Sequence, residues 1–206
     1  MQVTVCEHPL IKTKLTHLRN EKTGTTNFRR IINEVGALMT YEVLKDLPVR
    51  KTKVRTPLEE CDGYEEDKTI VVVPILRAGL GFMEGVLMVA PQAHVGHIGM
   101  SRNEETLQPE EYYYKMPKDK DAYYVIVDPM LATGGSAVAA VDNLKKRGIK
   151  DIRFMCLVAV PEGIEVVNKA HPDVKIYTCV IDRCLNDKGY ILPGLGDAGD
   201  RIFGTV

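Results

Sequence analysis

The chain has 206 residues, 45% of them hydrophobic, enough for one α/β domain with a substantial core. Its 27 lysines and arginines nearly balance 28 aspartates and glutamates, a formal charge of −1, so no bulk attraction to nucleic acid or membrane follows. No apolar run approaches bilayer length, and the first residues, MQVTVCEHPL, lack the basic-then-apolar pattern of a secretory leader.

Five scattered cysteines (Cys6, Cys61, Cys156, Cys179, Cys184) form no Cys-x-x-Cys pair and read as reduced thiols of a cytoplasmic protein. His94 and His97 fall on opposite faces of a strand, so no metal-ligand spacing is visible.

Residues 8–26 are polar and basic, and fit an arm, a turn or a regulatory surface. From Thr26 a helical pattern places Phe28, Ile31, Ile32, Val35, Leu38 and Met39 on one face. Val49 to Val54 leans toward strand. Thr69 to Leu76 (TIVVVPIL) reads as a strand buried on both faces, as in parallel sheets. Gly79 to Val89 is helical in pattern and Ala93 to Met100 strand-like. Ser101 to Lys120 is charged, carries Tyr112-Tyr113-Tyr114, and shows no clear period. Strand and helix then alternate: Tyr123–Asp128, Ser136–Arg147, Ile152–Val160, Glu162–Ala170 and Val174–Ile181. The last 25 or so residues look like a loop.

This order predicts one domain over 1–206, a mostly parallel sheet flanked by helices, with ligands at the carboxyl ends of its strands. The N-terminal arm and helix would occupy about 1–48.

Within it, VIVDPMLATGGSA (125–137) is the most informative stretch. An apolar strand ends at Asp128, and Thr133-Gly134-Gly135-Ser136 opens a helix. Free N–H groups and the helix dipole favour a phosphate there, and two hydroxyls can add hydrogen bonds. A simple βα turn capped by Ser136 fits the same residues. No Lys follows the glycines, which excludes a Walker loop, and the Gly-x-Gly-x-x-Gly spacing is missing.

A second strand-to-helix turn, Arg77-Ala78-Gly79-Leu80-Gly81, offers a guanidinium suited to a diphosphate, or a solvated loop arginine. Arg102 follows a strand in a charged stretch that reads as a solvated loop or an active-site lid. The tyrosine run suits a subunit interface. The tail GYILPGLGDAGDRIFGT places Gly189, Gly194, Gly196 and Gly199 with Pro193, a loop of defined turns that can offer main-chain groups to a flat ligand.

The 125–137 stretch resembles the 5-phosphoribosyl 1-diphosphate (PRPP) loop of type I phosphoribosyltransferases. Over essentially the whole chain, HPLIKTKLTHLRNEKT, FRRIINEVGALMTYE, SRNEETLQPEEYYYKMP and GYILPGLGDAGDRIFGT are similar to the uracil phosphoribosyltransferase family. In the wider superfamily the loop has a second acid and an Asp before Thr-Gly. Here these are Pro129 and Ala132, as in the uracil branch, which makes a general base from this loop unexpected.

The resemblance implies a type I fold with a β-arm and a C-terminal base-binding hood at about 182–206. It implies transfer of the phosphoribosyl group from PRPP to uracil, giving UMP and diphosphate. Arg77, Arg102, Asp128 and Asp197 would be the catalytic residues, with both arginines on diphosphate. Asp128, Pro129, Met130, Leu131, Ala132, Thr133, Gly134, Gly135 and Ser136 would hold the ribose and its 5-phosphate, and Asp197 would face PRPP. Ile191, Gly196, Asp197 and Ala198 would meet uracil. Mg²⁺ would enter as Mg–PRPP, without a dedicated protein cage. A homodimer or higher oligomer is expected. GTP is implied as an effector by some members, near Lys12, Lys14, Arg19 and Arg29, which equally fit a solvated basic face. The rival reading is an RNA-binding regulator on the same fold, against which the charge balance and the intact tail argue.

Overall fold

The computed structural model describes residues 3–102 and 109–205, the side chains of Arg102 and Pro109 excepted. β1 (Val3–Val5) leads into α1 (Pro9–Arg19) and α2 (Thr25–Val43). The helix α1 falls in the stretch whose sequence left its structure open. Pro9 sits in its first turn, the His8 ring accepts from the Leu10 N–H at 3.2 Å, and Ile11, Leu15 and Leu18 bury one face.

β2 (Val49–Arg55) and β3 (Glu60–Glu66) form a separate antiparallel hairpin, largely exposed, with Arg50 paired to Glu65 across it. β4 (Ile70–Leu76) follows, then α3 (Gly79–Val89), β5 (His94–Val95) and β6 (His97–Arg102). The single strand expected from Ala93 is thus split at Gly96. β7 (Pro109–Lys115) returns antiparallel to β6.

That strand holds the tyrosine run. Gly99 faces Tyr113 while Met100 faces Glu111, so Tyr112 is an extra residue at a bulge. A bulge breaks the period of two, which is why this strand does not show in the sequence pattern.

The alternating half comprises β8 (Tyr123–Val127), β9 (Met130–Leu131), α4 (Gly135–Lys146), β10 (Ile152–Ala159), α5 (Pro161–Ala170) and β11 (Lys175–Ile181). The tail expected to be loop contains β12 (Cys184–Leu185), β13 (Ile191–Leu192) and α6 (Ala198–Phe203).

The main sheet runs β1-β11-β10-β8-β4-β6-β7, parallel except for β7, with β5 on β4 and β9 on β10. Successive strand residues alternate between two cores. Val72, Val125 and Met155 face α1, α2, α3 and α6, whereas Val73, Ile126 and Phe154 face α4 and α5. Helices α2 and α3 meet at Gly36 and Gly85, where a Cβ on either would enter the other's backbone. The chain leaves β4 toward β6 in one direction and β8 toward β10 in the other. The β4–β8 boundary is therefore the point where strand order reverses, and a crevice opens at the carboxyl ends there.

Candidate active site

Two βα turns end side by side at that crevice, because Pro74 of β4 pairs with Val127 of β8. Their backbones touch. A Cβ on Gly79 would lie 2.5 Å from the Val127 carbonyl oxygen, so only glycine fits. A cleft of about 250 Å³ lies above, with Ala78, Asp128, Met130 and Ala132 on the sheet side. Gly189, Tyr190, Ile191, Gly196, Asp197 and Ala198 close it from the tail. A larger apolar hollow, about 690 Å³ between β1, α1 and α2, joins neither strand end.

Asp128 follows β8 and is half-buried; its carboxylate accepts from the Met130 N–H at 3.5 Å. Burial, aided by the field of Asp197, pushes its pKa up from 3.8 to about 7, against the Met130 hydrogen bond. Asp197 does two things at once. It lines the cleft, and its carboxylate caps α6 by accepting from the Asp200 N–H at 3.0 Å.

The turn expected to hold a phosphate continues from Ala132. Gly134 caps α4 with φ of 81°, and no side chain caps that helix, so Ser136 is not the cap its position suggested. Thr133 and Ser136 are exposed beside the free N–H groups of the first turn, an anion-binding arrangement. Met130 and Ala132 face the cleft, but Pro129 and Leu131 do not. The Pro129 carbonyl accepts from Leu157 and Val158, the Leu131 carbonyl accepts from Val160, and the Leu131 side chain is buried in the core. Pairing of β9 with β10 turns these two residues inward.

Helix α5 supports the loop from behind. A Cβ on Gly163 would run into the Ala132 carbonyl oxygen, and Gly134 sits against Val166. Gly163→Ala should therefore shift the loop. We expect a stability loss of about 1–3 kcal/mol from overpacking and, if the turn holds a substrate phosphate, a clear rise in the KM for that substrate; melting and initial rates check both.

Arg77 precedes the lining residue Ala78 and is itself exposed, with its guanidinium 3.2 Å from Asp200 and 5.7 Å from the centre of the Phe203 ring. An exposed pair of this kind costs little to exchange for another anion. The Leu76–Arg77 peptide is cis. Arg102 ends β6, and its side chain lies outside the described residues, as do residues 103–108 of the expected lid.

The basic residues considered for an effector have internal partners instead. Lys12 pairs with Glu7, Lys14 with Glu34 and Arg19 with Asp182, and Arg29 donates to the Ile202 carbonyl. Among the tyrosines, Tyr112 and Tyr113 are exposed, while Tyr114 lies under Arg147, 3.7 Å from ring centre to guanidinium carbon.

Ala78, Gly189 and Gly199, which the sequence placed in the arginine turn and the glycine-built tail without a ligand role of their own, line the cleft, and Tyr190 joins them. Tyr190 could have been found as the neighbour of Ile191; Gly163 carries no local signal.

The uracil phosphoribosyltransferase family model matches residues 5–205. This chain belongs to the uracil phosphoribosyltransferase family. A uracil phosphoribosyltransferase of Macrococcus caseolyticus is 58% identical over 206 residues, covering 99% of each chain. The solved AQ2163 protein of Aquifex aeolicus is 41% identical, with a TM-score of 0.92 over 98% of this chain and 97% of that one. A hypoxanthine-guanine phosphoribosyltransferase of Bacillus anthracis shares the fold alone, at 14% identity and a TM-score of 0.54 over 77% of this chain and 80% of that one. Uracil phosphoribosyltransferases are thus this chain's relatives over its full length, and the type I fold extends to purine enzymes.

Proposed function

We propose that this chain transfers the 5-phosphoribosyl group from PRPP to uracil, releasing UMP and diphosphate. The observation that carries the reading is convergence: the acidic end of β8, Ala78 of the arginine turn and the glycine-built tail line one cleft, and the free start of α4 follows two residues after the lining residue Ala132. The N1–C1 bond forms as the bond from C1 to diphosphate breaks, with inversion and loss of the N1 proton. Such a reaction is served by positioning and by placed charge. Thr133 to Ser136 would hold the 5-phosphate, Asp128 the ribose hydroxyls, and Arg77 and Arg102 the diphosphate. Ile191, Gly196 and Ala198 would offer main-chain groups to uracil.

Magnesium is proposed as part of Mg–PRPP. Asp128 and Asp197 supply oxygen donors at one cleft, the chemistry a hard cation prefers, although no cluster of three or more such ligands occurs among the described residues. The ion would neutralise phosphate charge. We also propose a homo-oligomer, supported by the exposed Tyr112 and Tyr113. A GTP site at Lys12, Lys14, Arg19 and Arg29 would require their present pairs to break, which initial rates with and without GTP test. Among the described residues no helix is long and apolar enough to cross a membrane.

The direct test is diphosphate release on mixing protein, Mg–PRPP and uracil; no release overturns the reading. Arg77→Ala and Arg102→Ala should each weaken PRPP use about tenfold or more, the scale of one charged hydrogen bond. For Arg77→Ala, stability should stay within about 0.5 kcal/mol, since an exposed pair and a distant contact with the Phe203 ring are lost. Kinetics at varied PRPP and thermal melting decide it.

A further inference from the structure

Two arginines that do not line the cleft hold the base loop from behind. Arg19, the last residue of α1, makes a two-pronged pair with buried Asp182, at 2.6 and 2.8 Å, and also donates to the Gly194 carbonyl at 2.8 Å. The same Asp182 accepts from the Gly194 N–H at 2.9 Å. One ion pair thus ties down both main-chain groups of Gly194. Arg201 of α6 donates to the Leu195 carbonyl at 2.7 Å. It is itself fixed by the Leu18 and Asn20 carbonyls and by the Phe28 ring, 4.3 Å away.

Peptide geometry carries this grip to the cleft side. In a trans peptide the C=O and N–H of one plane point in opposite directions. The Leu195–Gly196 bond is trans, so a Leu195 carbonyl held by Arg201 sends the Gly196 N–H the other way. Gly196 lines the cleft, and among the described residues its N–H has no protein partner. It is a fixed, vacant donor. A peptide free to rotate would bring its carbonyl where that N–H stood, and the site would then accept a base presenting a donor.

We propose that Arg201 and the Arg19–Asp182 pair are positioning residues that fix the aim of the Gly196 N–H, and with it the choice of uracil over cytosine. The proposal rests on uracil transfer as the reaction. Arg201→Lys, Arg19→Lys and Arg19→Gln test it, because one ammonium cannot bridge the acceptors that a guanidinium holds. We expect the KM for uracil to rise and the uracil-to-cytosine ratio of kcat/KM to fall, each about tenfold or more, with the PRPP KM within about twofold; such a split marks lost base binding. In the Arg19 variants the buried Gly194 amide, which donates to Asp182, should exchange with solvent faster than in the parent protein.

Unchanged uracil KM and base ratio in folded variants would overturn the proposal. So would uracil and PRPP constants that worsen together with the ratio kept, the mark of a purely structural staple. Should Arg201→Lys fail to fold, the Arg19 variants decide alone. If the parent protein shows no transfer to uracil, the functional reading fails separately, and amide exchange at Gly194 still reports whether the clamp exists.

Discussion

Uracil should react with a kcat/KM about 10⁴ times that of cytosine, the discrimination open to a site that hydrogen-bonds its substrate. Ile191, Gly196 and Ala198 line the cleft, and in the proposed reading their main-chain groups meet the base. Uracil shows an acceptor, a donor and an acceptor along one edge. Cytosine inverts two of these, setting donor against donor and acceptor against acceptor. Buried groups left unpaired in this way carry their full desolvation cost. The backbone cannot re-protonate to adapt, and its bonds to Arg19 and Arg201 oppose rotation. A compact 5-substituent such as fluorine leaves that edge intact, so 5-fluorouracil should be used efficiently and hypoxanthine hardly at all. Rates with the four bases at saturating Mg–PRPP check this, and comparable values for cytosine and uracil would exclude main-chain recognition.

Asp128→Asn should weaken PRPP binding about 10- to 100-fold, since hydrogen bonds to a charged group are worth about 1.5–3 kcal/mol. The same change should stabilise the ligand-free protein at neutral and higher pH. The sign follows from burial, which raises the carboxyl from 3.8 to about 7 in the fold. A folded-state pKa above the unfolded one means that stability is complete below about pH 4. It is lost progressively as pH rises through 7. A shift of this size corresponds to about 4 kcal/mol at most; water in the cleft reduces it, and a gain of roughly 2 kcal/mol for the variant above pH 7 is expected. Sugar hydroxyls donate to the ionised form, so PRPP binding should release a proton near neutrality and strengthen between pH 6 and 8. Melting from pH 4 to 8, with titration calorimetry in buffers of different ionisation enthalpy, measures both slopes. Equal PRPP affinity in parent and variant would remove Asp128 from the ribose site.

Local pattern was enough to locate β4, β8, β10, β11, helices α3 to α5 and the start of α2 within a residue or two, because strands buried on both faces are continuously apolar and amphipathic helices repeat near every fourth residue. The same local chemistry marked Asp128, the 133–136 helix start and the glycine-built tail, since a phosphate turn and a sharp loop need particular residues at particular steps. Pairing between distant segments was not written locally. Helix α1 is polar overall and buries its apolar face chiefly against α2 and β11. The bulge at Tyr112 hides β7, and the pairing of β9 with β10 turns Pro129 and Leu131 away from the cleft. Arg19 and Arg29 look like a free basic surface in the sequence, yet their partners lie more than 160 positions away, at Asp182, Gly194 and Ile202. Sequence spacing records which residues share a face of one element. Only the fold brings Asp128 to Asp197, Gly163 to Ala132 and Arg201 to Leu18, because those contacts cost chain entropy that packing of the whole core must offset.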